Sequence, residues 1–236
     1  MCTINRTFLI LLMALLPAVG LSARNYGFSS AAALAGGYNT AWGAYGGADV
    51  KVSAFAGDHL EASAAFEGLT SGIYAIGLSA RPKLQFEAGT FYLDGGVLYR
   101  TSTPNRIFDF VSHGSVGWQM KHLDARVGLF TRTMGSKDRD IHTTEEMVTE
   151  PFNIIYRLQF KLKGDASRWD LWGGVTDCSD FEYERFWEPY FFLGGRYEIN
   201  GGMQLFVQTD IKPAGMFHLN ANFYGVLCRA GIFYSF

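Results

Sequence analysis

After its first 23 residues the chain has no apolar run approaching the ~20 residues a helix needs to cross a bilayer. Cysteine is scarce. Of Cys2, Cys178 and Cys228, the first lies in the leader described below, so a multi-disulfide scaffold is excluded. Charge of one sign is also lacking: 20 Lys+Arg stand against 22 Asp+Glu, which gives no reason to expect nucleic acid as a partner. There is no CxxC, no Gly-rich phosphate loop opening a helix, and no internal repeat beyond a hairpin rhythm. What is plentiful is glycine, 28 residues, and aromatic side chains, 16%. That composition suits strands joined by tight turns.

Residues 1–23 read as a secretory signal peptide. Arg6 forms a short basic region, Phe8 to Leu21 an apolar run, and Ser22-Ala23 a small-residue cleavage site before Arg24. Residues 24–236 are then one exported domain. If that domain meets a membrane it must do so as a closed set of strands, because only helices and closed barrels satisfy the backbone inside lipid. An oxidising compartment would permit a Cys178–Cys228 bridge. Their strands are not neighbours, however, and two unpaired small residues are expected.

The last stretch carries most information. In Val226 to Phe236, Val226, Cys228, Ala230, Ile232, Tyr234 and Phe236 fall on one face, and Leu227, Arg229, Gly231, Phe233 and Ser235 on the other. This resembles the closing strand of bacterial outer-membrane β-barrels, whose terminal Phe and spaced apolar residues are read by an assembly machinery. The resemblance implies an outer-membrane location in a Gram-negative-type bacterium. It implies Ile232, Tyr234 and Phe236 as an insertion signal. It also implies outer-membrane lipid, lipopolysaccharide and the barrel-assembly machinery as partners.

Alternation places strands near 48–56, 60–68, 72–80, 83–92, 96–102, 107–120, 123–133, 152–163, 168–177, 189–199, 202–211 and 226–236. The expected fold is therefore an all-β, antiparallel, up-and-down transmembrane barrel of about 12 strands, with 10 or 14 as alternatives. Residues 24–47, rich in Gly and Ala, fit a long strand, a hairpin or a lead segment equally well. The clearest strand is Phe152 to Lys163. Phe152, Ile154, Tyr156, Leu158, Phe160 and Leu162 point one way; Asn153, Ile155, Arg157, Gln159, Lys161 and Lys163 point the other. Short turns at Asp94-Gly95-Gly96, Lys121-His122, Gly164-Asp165 and Asn200-Gly201 alternate with longer connections near 103–106, 134–151, 178–188 and 212–225. This is the outer-membrane pattern of short turns on one side and long loops on the other. Gly57-Asp58-His59 and Arg81-Pro82 are tight yet count to the long-loop side. Trp118, Trp169, Tyr197 and Tyr234 mark one aromatic girdle, and Phe108, Phe152 and Phe191 the other.

The polar face is heavily charged. A Lys or Arg facing the bilayer midplane costs about 2–4 kcal/mol, so this face must line a lumen. Arg126, Arg132, Arg157, Lys161 and Arg168 lie on consecutive strands about 4.8 Å apart and would form a basic, pore-lining wall, with Asp124 and Asp170 as the acids among them. One reading is a passive channel for small, anionic solutes. Twelve-stranded outer-membrane channels for acidic sugars resemble this chain in size and wall charge, without a shared motif. The alternative is a non-conducting structural or surface-interaction barrel plugged by its own ion pairs.

A third reading is enzymatic. His113-Gly114-Ser115 resembles the His-x-Ser pair of outer-membrane lipid hydrolases, in which imidazole activates serine. Here both residues have lumen parity, and no Asn follows the Ser. The loop from Gly135 to Glu146 holds Asp138, Asp140, His142, Glu145 and Glu146, but their spacing matches no Ca²⁺ or Zn²⁺ loop. No metal and no cofactor is expected.

Overall fold

In the computed structural model the described residues are 26–39, 43–103, 107–136, 147–163, 168–184, 186, 188–212 and 225–236. Residues 1–23, expected to be a leader, and most of the acidic 135–146 loop lie outside them. Twelve strands run in chain order: β1 (Tyr26–Asn39), β2 (Gly43–Ala56), β3 (Leu60–Leu69), β4 (Ile73–Phe86), β5 (Gly89–Ser102), β6 (Ile107–Gln119), β7 (Leu123–Ser136), β8 (Met147–Lys163), β9 (Trp169–Thr176), β10 (Tyr190–Asn200), β11 (Met203–Lys212) and β12 (Gly225–Ser235). Each pairs antiparallel with its chain neighbours, and β1 pairs with β12 from Ser29↔Ser235 to Asn39↔Gly225, closing the barrel. Every strand thus has a partner on both sides, although β8 pairs with β9 only from Arg157 to Lys163.

The number twelve is the expected one; the segment 24–47, left open, forms a hairpin, and two elements differ from the sequence reading. The Gly/Ala-rich segment supplies β1 and the start of β2, which pair from Tyr26↔Ala56 to Asn39↔Gly43. Arg81-Pro82 is not a turn but lies inside β4. There Pro82 has no N–H to give to β5, yet the register Ala80↔Gly95 resumes unchanged at Lys83↔Tyr92. Asp94-Gly95-Gly96 is not a turn either, but the middle of β5. Gly96 is glycine because a Cβ there would meet the Leu78 carbonyl and the His113 ring. The real turn is Glu87-Ala88, between β4 and β5.

These corrections remove the parity conflict. The tight Gly57-Asp58-His59 turn, with Gly57 at φ 57°, now lies at the rim where β1 begins and β12 ends, called here the near rim. β5 and β6, β7 and β8, β9 and β10, and β11 and β12 are each joined from their far-rim ends.

One face of every strand points out of the barrel and is apolar. Val50 and Val52 on β2, Ile76 and Leu78 on β4, Val127 and Leu129 on β7, Phe160 and Leu162 on β8, Val207 on β11 and Ile232 on β12 are all exposed. A continuous belt of this kind far exceeds the few hundred Å² of apolar patch usual on soluble monomers. Aromatic rings border it at the near rim: Phe86 on Trp118 (5.6 Å), Trp169 on Tyr197 (4.7 Å) and Tyr234 on Phe236 (4.5 Å). Tyr38, Tyr74 and Phe191 are exposed toward the far rim. Cys228 lies on this outer face and Cys178 is buried inside; both are free.

Candidate functional site

The inward face inverts the pattern: it is charged, and nearly every charge is matched. Arg229 on β12 binds three acids, with Nε 3.2 Å from Asp49 (β2) and its two terminal nitrogens 2.8 Å from Glu67 (β3) and 2.6 Å from Asp210 (β11). To reach β2 and β3 its side chain must cross β1. The inner face of β1 is small there, Ala33 and Ala35. The same Ala/Gly pattern that obscured β1 in the sequence therefore makes room for the ion pairs across the closing seam.

On the opposite wall Asp94 of β5 receives Arg81 at 3.1 Å and also Arg126. Asp109 of β6 pairs with Arg100 at 3.1 Å and Arg132 at 3.4 Å. Lys83 pairs with Glu61 at 2.8 Å.

The connection from β9 to β10 folds inward. Asp177 to Glu184 makes a small hairpin: Ser179 N–H donates to the Glu182 carbonyl, Glu184 N–H donates to Asp177, both at 2.7 Å, and Cys178 bridges Tyr183. Its apolar side chains Cys178, Phe181 and Tyr183 pack on Ala65, Ala75, Leu98, Val111, Phe130 and Ile155 of β3 to β8. Its acids meet cations. Asp180 pairs with Lys51 at 2.8 Å, Glu182 with Arg100 at 3.3 Å and with Lys212, and Glu184 with Lys212 at 2.8 Å. Arg126 donates to Cys178 Sγ at 2.7 Å, and Arg132 to the Tyr183 carbonyl. Burial pushes the Asp177 carboxyl up to about 7, although one of its oxygens accepts the Tyr156 N–H at 2.8 Å. Burial would raise Glu182 too, but Lys212 and Arg100 outweigh it and hold that carboxyl low.

Between this inner hairpin and the near rim lies a cavity of about 650 Å³. Eight Lys and Arg residues line it against five Asp and no Glu. Asp49, Asp94, Asp124 and Asp180 are already engaged by Arg229, by Arg81 and Arg126, by Lys161 at 3.7 Å, and by Lys51. Among the described residues Arg157 and Arg196 have no carboxylate within ion-pair distance. Arg157 is held by the Gln159 amide oxygen at 2.7 Å and lies over the Phe192 ring at 4.7 Å. Arg196 donates to Gln204 at 3.1 Å and lies over Phe233 and Trp172 at 5.1 and 5.5 Å.

The residues singled out in the sequence thus separate into three groups. The Arg126 and Arg132 side chains are largely covered and committed to Asp94, Asp109 and the inner hairpin. Arg157 and Lys161 face the cavity. Arg168 sits in the bend before β9, exposed at the near rim. Asp170 lines the cavity, while Asp124 accepts from Tyr92 Oη at 2.6 Å.

Sequence reasoning missed Asp94, because Gly95-Gly96 looked like a turn. It missed Lys212, Asp180, Glu182 and Glu184, because the sequence reading placed them in connections. Reading Tyr92, Asp94, Gly96, Leu98 and Arg100 as one alternating face would have found Asp94.

His113 and Ser115 both face inward and are buried. His113 Nδ1 is 2.7 Å from Tyr183 Oη, whereas Ser115 Oγ donates to the Asp94 carbonyl at 3.4 Å. Each has its own partner, and no hydrogen bond joins base to nucleophile, the arrangement serine activation needs. No group of three or more His, Cys, Asp or Glu residues among the described ones is arranged to hold a metal ion.

Fold and lumen together define a closed twelve-stranded barrel with an apolar exterior and a charged interior. No family model matches the chain, and neither does any curated protein. Among solved structures the fold is similar to the NanC porin, at TM-score 0.56 and 12% identity over 86% of this chain and 98% of that one. It is equally similar to the KdgM porin in complex with disordered oligogalacturonate, at 0.56 and 10% over 88% and 99%. The translocator domain of the autotransporter NalP from Neisseria meningitidis follows at 0.53 and 14% over 98% and 95%. At such identities the likeness is one of fold.

Proposed function

We propose that the protein is an outer-membrane β-barrel that acts as a narrow passive channel preferring small anions. The cavity carries the reading: its cations outnumber its acids, and among the described residues Arg157 and Arg196 have no carboxylate within ion-pair distance. Low-dielectric walls focus such a field and raise the local concentration of the opposite charge. The inner hairpin narrows the passage on the far side of that cavity. Two of the similar structures are porins, one holding oligogalacturonate, and an anionic solute is what this wall would also favour. The exposed apolar belt and its ring-lined borders support the membrane setting.

The test is current through the purified, reconstituted barrel. In a salt gradient the reversal potential should indicate anion preference. That preference should fade as the Debye length falls from about 10 Å at 0.1 M to about 3 Å at 1 M salt. Changing Arg157 and Arg196 together to Gln should bring the preference close to neutral without unfolding the barrel, since neither removes a partner from a buried acid. Cation preference, or no current from the intact barrel, would refute the proposal.

Ile232, Tyr234 and Phe236 form the outward ending proposed as the insertion signal. Phe236 is 76% exposed; its N–H donates to the Phe28 carbonyl at 2.8 Å and its ring meets Tyr234 at 4.5 Å. Deleting Phe236 should leave export intact but reduce the heat-modifiable, folded form in the outer membrane severalfold. Normal levels of the truncated chain would argue against a signal role.

A further inference from the structure

The inner hairpin Asp177 to Glu184 holds four acids and no base. The wall around it supplies the reverse. Lys51 from β2, Arg100 from β5, Arg126 and Arg132 from β7 and Lys212 from β11 all converge on it. Arg229 of β12 lies over the Phe181 ring at 5.7 Å. Cations from five strands thus form a collar, and an acidic piece of the same chain fills it.

We infer that this collar is a binding site for small polycarboxylates, with the inner hairpin as its built-in, displaceable occupant. Removing a carboxylate from a buried cation is costly, because the cation is left without a partner. Exchanging one carboxylate for another is different, since every collar cation remains paired. A solute carrying several carboxylates can therefore take over Lys51, Arg100 and Lys212 together, at a cost limited mainly to the packing of Phe181 and Tyr183. A monocarboxylate can satisfy only one of them at a time. One side of the hairpin borders the cavity rather than packed wall, as Cys178, Ser179, Asp180, Phe181 and Tyr183 line it. A solute can thus approach the hairpin from the near rim, and binding shifts the hairpin's position by mass action.

Cys178 reports the displacement. It belongs to the hairpin and is fully buried against the wall, so a bulky, polar maleimide reaches its thiol only when the hairpin lifts. The experiment uses the full-length folded barrel carrying Cys228→Ser, with citrate and acetate compared at equal ionic strength. Saturating citrate should speed labelling of Cys178 about tenfold, the factor equivalent to ~1.4 kcal/mol, and acetate should not. Glu182→Gln with Glu184→Gln should raise the rate without citrate. Labelling indifferent to citrate, or accelerated equally by acetate, would overturn the inference. If the double variant does not fold, the citrate comparison on the Cys228→Ser barrel still decides. An anion-selective current with Cys178 unresponsive to citrate would retain the channel and discard the site. Citrate-dependent labelling of a barrel that never conducts would do the opposite.

Discussion

Replacing Arg229 with Ala should destabilise the barrel by about 3–5 kcal/mol, the range for breaking a buried ion pair by removing one partner. Arg229 is the single cation that joins Asp49, Glu67 and Asp210, all three nearly inaccessible. Its loss leaves three carboxylates inside the wall, while β1 contributes only Ala33 and Ala35 at that level. The site also lies on the seam where the first and last strands close, so the damage falls on the step that completes the barrel. Arg229→Lys keeps the charge but not the planar fork that reaches three acids at once, and should recover only part of the loss. Urea titrations of the folded protein in lipid vesicles measure both. A cost below about 1 kcal/mol for Arg229→Ala, typical of an exposed pair, would mean that the three acids find other partners.

The second large effect separates the two faces of β8. Leu158 shares its outward parity with the exposed Ile154 and Phe160, whereas Gln159 lines the cavity and accepts Arg157 at 2.7 Å. Leu158→Arg should cost about 2–4 kcal/mol, as for Arg on the lipid face near the midplane. Gln159→Arg should cost much less, because its new charge meets a lumen that contains Asp124 and Asp170. Unfolding titrations of both variants under one lipid condition decide the matter. Equal tolerance would show that the outer face of β8 does not meet lipid.

The facing of β8 was legible in the sequence because alternation is a local property: side chains on a strand repeat every two residues, whatever the strand pairs with. The same holds for β12 and β6, where the inward parity of Arg229, His113 and Ser115 agrees with the structure. β1 was not legible because its outer face mixes Leu34 and Tyr38 with Ala32 and Gly36. Alternation then fades, and the reason for small inner residues lies in β12. Pro82 and Gly95-Gly96 looked like punctuation because turns favour those residues. In the barrel they serve an interrupted ladder and a close approach under His113.

By itself the sequence determined that the chain forms strands, that their apolar faces point one way, and that the charges gather on the other face. Each of these follows from spacing along the chain and from the cost of placing charge in lipid. Only the tertiary structure decided how those charges are spent. Arg126 and Arg132, which read as pore-lining wall cations, are taken up by Asp94, Asp109 and an inward-folded connection, while Arg157 and Arg196 meet amide oxygens and aromatic rings. An ion pair depends on which strands become neighbours across a closed lumen and on where a loop returns. Neither is written in the period of any one strand.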